Sequence, residues 1–590
     1  MISSALSSPS VPLDVVEQVF HHLCPYTGKS TREDIVTAQK ALARCACVCR
    51  AFHRPAAAVL WKQQQLINVC RILPTLTVAS AQAHAPGAVE GSALAPGDAD
   101  EDGLIVYEAC QQSPECPMEG CYYLPGPISA EEWSRFQFYA HFIRHLDHGD
   151  EKLAPSVLSL LHRHAEGKPL FPNLLWLKWD LSTPELTWVI TPILRELILT
   201  YDRPDEGRSA YVEYDDPEPT FSKVLLPTAL RNLPALQDLH LPKLCCASFW
   251  LPLVQEPTGT FVVENLRVLK LQDSLGVLMD GGLSVISAIP FLKVLEIEHR
   301  PRLHLSDPGR APIFDMTSIR TFGNLLVLRV EGSATEVAAL VDAIVAPKLL
   351  YAQLVREDRE NPLKVPCLPG LALTTLCGRN ATTLFSLAVD LQAAYIFEPY
   401  WSSTDEITDD GERPFLSIMQ AVLQLHELQK LDIYLYIPRT HGGARGLGAL
   451  LQPAMLEAWP LLDSLTITVA AVTPDTFLAI ARSCHYLEKL TVRCLCEDFA
   501  RLLPPAASSA VAPQSTGKRK KHPLREVHLF DATAVSDPVD VARIAQFLHD
   551  LFPTLEPTRC WRDWRGIEEP EKDDWPVIME KLVQLQGGEE

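Results

Sequence analysis

A few short stretches of the 590-residue chain bring together residue types that chemistry uses. Gly28-Lys29-Ser30 ends like a phosphate-binding loop, in which backbone N–H groups and a lysine cradle phosphate oxygens. That loop needs a glycine five positions before Gly28, where Leu23 stands. No strand precedes it to aim the N–H groups, so it reads as a loop followed by a helix cap. Gly442-Gly443-Ala444-Arg445-Gly446-Leu447-Gly448 lacks G-x-G-x-x-G order and reads as a strand-to-helix loop. Cys484 beside His485 has the composition of a thiol–imidazole pair, but adjacent helix positions point apart. Cys110, Cys116 and Cys121 do not have the spacing of a zinc ribbon or finger. Neither G-x-S-x-G nor H-E-x-x-H occurs. We therefore assign no catalytic residue, no metal ligand and no cofactor, and a Cys/His hydrolase is the weakest of the readings weighed.

Composition narrows the classes. With 52 Lys+Arg against 73 Asp+Glu, the formal charge is −21, which argues against nucleic acid as the main partner. No apolar run reaches the length of a membrane span. The first ten residues have neither the charged nor the apolar part of a secretion signal, so we expect a cytoplasmic or nuclear protein. On that expectation the 16 cysteines are reduced, and Cys45, Cys47, Cys49, Cys245 and Cys246 act as small apolar residues.

The elements come next. Residues 1–10 read as disordered and 11–75 as closely packed helices. Pro12 opens a helix whose Val15, Val16, Val19, Phe20 and Leu23 follow helical spacing, and Pro25 stops it. Ser30 with Glu33 is a capping box for a second helix, with a stripe of Leu42, Cys45, Val48, Cys49 and Phe52. Pro55 reopens the chain into Ala56–Trp61, and an amphipathic helix continues to about Leu73. Residues 76–128 read as a low-complexity linker, with the Ala/Gly/Pro/acid stretch at 78–103 lacking any periodicity. A helix is predicted over 129–147, capped by Ser129 and Glu132, within a helical cap spanning 129–170.

From 171 to 535 one pattern dominates, L-x-x-L-x-L. Twelve matches begin at Leu174, Leu194, Leu236, Leu266, Leu292, Leu325, Leu349, Leu384, Leu428, Leu462, Leu487 and Leu524. Their mean spacing is about 32 residues against a leucine-rich norm of 20–29, so the longer repeats carry insertions. We place these at 202–218, 402–413 and 504–523, the last ending in the basic run Lys518-Arg519-Lys520-Lys521, a weak match to a nuclear import signal. The alternating end of each motif predicts a short strand with apolar residues inward, and the rest of the repeat returns partly as helix. One unit cannot bury its own apolar face, whereas a stack can. The alternative is an ordinary α/β domain with Leu-rich strands. Residues 536–590 read as a C-terminal helical cap and acidic tail.

The N-terminal residues resemble an F-box, the helical module by which substrate receptors dock onto the Skp-family adaptor of cullin–RING ubiquitin ligases. The resemblance rests on Val11-Pro12-Leu13 through Leu23, on Val48-Cys49-Arg50-Ala51-Phe52 and on Leu60-Trp61, in family order over about 50 residues. The stretch between Leu23 and Leu42 is longer than the usual link. The whole chain resembles the divergent F-box receptors with C-terminal leucine-rich repeats found in mushroom-forming fungi. The implied fold is α/β, a helical F-box followed by a leucine-rich-repeat solenoid, or horseshoe, of about twelve degenerate repeats. The implied function is that of a Skp–cullin–F-box substrate receptor, with Pro12, Leu13, Val16, Phe20, Leu23, Leu42, Val48, Cys49, Phe52, Leu60 and Trp61 on the adaptor. The alternative is an interaction scaffold whose N-terminal helices only cap the solenoid. For an unknown client, strand alternation predicts a concave row of Val268, Val294 and Val327 beside Lys270, Glu296 and Arg329.

Overall fold

A computed structural model of the chain describes residues 13–23, 31–79, 120–149, 153–180, 185–200, 226–242, 263–272, 281–298, 319–356, 368–391, 413–435, 453–496, 498–503, 521–529, 537–560 and 574–587. It divides into two compact units, residues 1–242 with 251–266, and residues 243–250 with 267–590. The insertion at 202–218, that at 402–413 up to residue 412, the basic run up to Lys520, Pro12, Ser30 and both glycine loops lie outside the described residues.

The first unit opens with α1 (Leu13–His22), α2 (Arg32–Val48) and α3 (Arg50–Leu60). Val16 and Phe20 of α1, Leu42 of α2, and Ala56 and Val59 of α3 form one buried cluster. The ring of Phe20 stands edge-on to that of Phe52, with centroids 5.6 Å apart. Two details correct the expectation. The capping box of α2 is Thr31 with Asp34, one position after Ser30 and Glu33, and its reciprocal bonds hold the Asp34 carboxyl below the usual range. Pro55 lies inside α3 instead of opening a helix; the apolar face of Phe52, Ala56 and Val59 outweighs the one backbone bond the proline cannot donate.

A strand follows at once, β1 (Gln63–Gln65), and then α4 (Leu66–Cys70) in place of one long helix to Leu73. The ends of the predicted linker are ordered: β2 (Thr77–Val78) pairs antiparallel with β3 (Tyr122–Tyr123). Next comes α5 (Ala130–Ala140), whose Ser129–Glu132 capping box forms as expected. The helix stops well short of 147, because His145–Asp147 is strand β4, hydrogen-bonded between β1 and β5 (Trp176–Asp180). The parallel sheet of this unit, ordered β1-β4-β5-β6-β7 with β6 (Glu196–Thr200) and β7 (Asp238–Leu241), thus begins before residue 171, inside what read as helix.

The second unit has its own parallel ladder of β8 (Val268–Gln272), β9 (Val294–Glu298), β11 (Val327–Gly332), β13 (Tyr351–Arg356), β14 (Ser386–Leu391), β15 (Lys430–Leu435), β16 (Ser464–Val472), β17 (Lys489–Leu495) and β18 (Glu526–Leu529). Between them β10 (Arg320–Thr321) and β12 (Ile344–Val345) pair separately. Each of the twelve L-x-x-L-x-L motifs supplies one strand to these parallel ladders, and the chain carries leucine-rich repeats. The inward positions, such as Leu269 with Leu271, Leu295 with Ile297 and Leu431 with Ile433, are essentially inaccessible. Each such side chain contributes about 1.5–3 kcal/mol of burial, which only a neighbouring repeat makes available.

Two repeating polar devices lock the stack. The asparagine before the first leucine reaches back to the preceding repeat: Asn173 Nδ2 donates to His141 O, Asn265 to Pro234 O and Asn324 to Pro290 O, at 2.8–2.9 Å. The carbonyl of the residue after that leucine accepts two N–H groups of the next repeat, as Leu350 O does from Phe385 and Ser386. Helices return the chain at Ala334–Ala343 and Pro474–Ser483. Arg379 caps the first of these, its Nη1 donating to the carbonyls of Val341, Asp342 and Ile344 at 3.0–3.3 Å. At the β18 end, helices Pro538–Leu551 and Trp575–Gly587 bury Ile544, Leu548, Trp575 and Ile578. The Trp575 indole donates to Cys560 O at 3.1 Å.

Candidate interaction surfaces

The residues expected on an adaptor separate into three groups. Val16, Phe20 and Leu42 are core residues of the three-helix cluster, so they shape that module from inside and are not a contact surface. Phe52, Leu60 and Trp61 are half-buried; Leu23, Val48 and Cys49 are exposed. Leu13 is the first residue of α1. Trp61 packs against Tyr139 of α5 with ring centroids 4.6 Å apart, and His53 stacks on Phe138 at 5.8 Å. These rings tie α3 to α5 within the first unit. The apolar side chains that stay in water are others: Val15 is 43% exposed, Val19 54%, Leu23 40% and Val48 69%, with Val36 at 41%. Val15, Val19 and Leu23 recur every four residues and make one exposed stripe along α1 and its end, while Val16 and Phe20 make the buried stripe beside it, about 100° round the helix. Hydrophobic periodicity had shown both sets but not which of them faces inward.

The six residues expected in a client row stand side by side in the second unit. Val268 pairs in register with Val294, and Val294 with Val327; Lys270 pairs with Glu296, and Glu296 with Arg329. All six are half-buried on the open side of the strands. Their charges are largely spoken for. Lys270 Nζ lies 3.2 Å from Glu296, and Arg329 lies 3.2 Å from Glu331, which is itself almost buried. The face continues where sequence reading had stopped, through Tyr351, Gln353, Lys430, Asp432 and Tyr434. The Tyr351 hydroxyl donates to Gln353 at 3.0 Å, and Lys430 pairs with Asp432 at 3.0 Å. The bond to Asp432 raises the Lys430 ammonium, and burial raises both tyrosine hydroxyls, so all three stay protonated at neutral pH. In the first unit, His145 stacks on Trp176 at 6.1 Å, and Lys178 reaches Asp147 at 3.6 Å.

The groups considered for chemistry are placed as follows. The Cys484 thiol is buried, points at Leu456 O at 3.8 Å and is pushed up to about 12 by desolvation, while His485 is exposed. The two do not form a nucleophile and its base. Cys121 is buried; Cys110 and Cys116 lie outside the described residues. Among the described residues no helix is long and apolar enough to cross a membrane.

No family model matches this chain, and no curated protein matches it. Among solved structures it is similar to an internalin from Listeria monocytogenes, at 13% identity over 60% of this chain and 83% of that one, with a TM-score of 0.26. It is also similar to a chain of the Toll–Spatzle complex of Drosophila, at 14% identity over 74% of this chain and 48% of that one, with a TM-score of 0.23. Neither likeness defines a family; the leucine-rich-repeat architecture rests on the chain's own strand register.

Proposed function

We propose that the chain is the substrate-recognition subunit of a Skp–cullin–F-box ubiquitin ligase. Its N-terminal helices would hold the Skp-family adaptor, and its repeats a client protein. The observation that supports this best is the two-faced first helix: α1 buries Val16 and Phe20 yet leaves Val15, Val19 and Leu23 in water. A lone exposed valine needs no explanation, but an apolar stripe that extends beyond the buried one is the sign of a surface made for a partner. The F-box resemblance falls on these same helices. In such a receptor the work is positional: the chain lowers no chemical barrier and raises the effective concentration of a bound client near the ligase's ubiquitin carrier.

The test is capture of a purified Skp-family adaptor by the full chain and by Val15→Asp with Val19→Asp. Phe20 and Trp61 are unsuitable for this test, since both hold the fold together. We expect adaptor capture by the wild type and its loss in the variant, with unchanged circular dichroism. Equal capture by both proteins, or capture by neither, overturns the reading.

One observation favours a second reading, in which α1–α3 cap the repeats. The chain passes from α3 through Trp61 and Lys62 directly into β1, and Lys62 O accepts the N–H groups of Arg144 and His145. Capping explains the buried face of α1. It leaves the exposed one unexplained.

A further inference from the structure

The residue that follows the first leucine of each motif forms a row of its own at the entrance of the strands. In the second unit each of these residues donates its N–H to the carbonyl of the one before. Lys293 bonds to Arg267, Leu326 to Lys293, Leu350 to Leu326 and Phe385 to Leu350; Gln429, Asp463 and Glu488 continue the series. The order of types along this row is two cations, three apolar residues, a neutral amide and two anions. Leu350 and Phe385 are 38% and 37% exposed, and both charged pairs are exposed. Val294, Val327 and Tyr351 widen the apolar middle from the adjoining row.

What distinguishes this row from the strand face beside it is its charge. On the face, Lys270, Arg329, Lys430 and Lys489 each have a carboxylate within 4.0 Å. At the entrance, Arg267, Lys293, Asp463 and Glu488 have no ion pair among the described residues, whereas Arg525, the next in the row, is held by Glu556 at 3.8 Å. Burial and the like charge of Glu488 raise the Asp463 carboxyl, partly offset by Lys430. A cation placed there would relieve that repulsion.

We infer that this row is a docking stripe for an extended segment of a client protein, acidic at one end, apolar in the middle and basic at the other. The inference rests on the reading of the repeats as the client-binding part, and it names the chemistry of what they bind. Lys293 and Asp463 stand five strand intervals apart, about 24 Å at roughly 4.8 Å per strand. An extended chain covers that distance in about seven residues, so the segment runs across the strands with its acids over Arg267 and Lys293. Because both ends are charged and exposed, binding weakens with salt.

The test uses the full chain and two pools of nine-residue peptides of equal composition. One pool has two acids at one end, two bases at the other and five apolar or small residues between. The other pool has one acid and one base at each end. At low salt we expect the first pool to bind at least tenfold tighter. Arg267→Glu with Lys293→Glu removes that preference, as does Leu350→Ser with Phe385→Ser. Adding Asp463→Lys and Glu488→Lys to the first pair inverts the stripe and restores binding, since the peptide can lie end for end. That recovery also excludes misfolding as the cause of the loss. Equal binding of the two pools, or no recovery in the inverted stripe, overturns the inference. Adaptor capture is measured on the same proteins. If it survives while the pools are not distinguished, the stripe alone fails; if it is absent while the stripe behaves as expected, the ligase reading alone fails.

Discussion

Replacing Phe20 by alanine should open the N-terminal helices without touching the repeats. Phe20 is 4% exposed, stands edge-on to Phe52 at 5.6 Å and shares a cluster with Val16, Leu42, Ala56 and Val59. Truncating a buried phenylalanine costs about 3–5 kcal/mol, of which the aromatic pair accounts for about 0.5–1.5. At about 1.4 kcal/mol per decade, the open state of α1–α3 becomes roughly two to three and a half orders of magnitude more populated. Amide hydrogen exchange of the full chain reads this locally: amides in α1 and α3 should speed up by a similar factor, and those in β13–β17 should not change. Val19→Asp is the control. Val19 is 54% exposed, and valine and aspartate have similar helix propensities, so exchange should shift by less than about threefold. Unchanged exchange in Phe20→Ala, or equal acceleration in Val19→Asp, would refute the assignment of the inner and outer faces of α1.

Three further outcomes follow from particular contacts. Arg379→Met removes three carbonyl partners from the end of helix Ala334–Ala343 and should cost about 1–2 kcal/mol, seen as faster exchange at 340–345. His522 is held neutral, its Nε2 donating to Cys484 O and its Nδ1 accepting from Leu524 N, and burial lowers its pKa. The unfolded chain takes up this proton first, so the contribution is present above about pH 6.5 and is lost as pH falls through the window below it. Urea midpoints at pH 7.5 and 5.5 should therefore differ less in His522→Gln than in the wild type. Among the described cysteines, native-state alkylation followed by mass spectrometry should label exposed Cys47 and Cys49 first, and buried Cys70, Cys377 and Cys484, raised to about 12, last. Early labelling of Cys70 would contradict the packing of α4.

The repeats were readable because strand alternation is a two-residue signal repeated with little variation. Leu, Ile, Val, Ala or Trp at the two inward positions was enough to locate the twelve ladder strands from Leu174 onward, though not the short separate pair β10 and β12. The two earlier ladder strands escaped because β1 is Gln-Gln-Gln and β4 is His-Leu-Asp, with one apolar inward residue between them. Their pairing is set by neighbours and not by their own composition. Pro55 misled for a related reason: its local cost is outweighed by packing that only the folded cluster supplies. Val16 and Val19 are the same residue type three positions apart, and nothing in the sequence states that one faces Phe52 and the other water. The entrance row was invisible because its members are 24–44 residues apart and become neighbours only through the carbonyl ladder.

The most direct measurement of the central claim is the exchange footprint of a purified Skp-family adaptor on the full chain. The account predicts slowed exchange in α1 and α2, around Val15, Val19 and Val48, with the repeat strands unaffected. Protection that falls on the strands instead, or no protection at saturating adaptor, would contradict it.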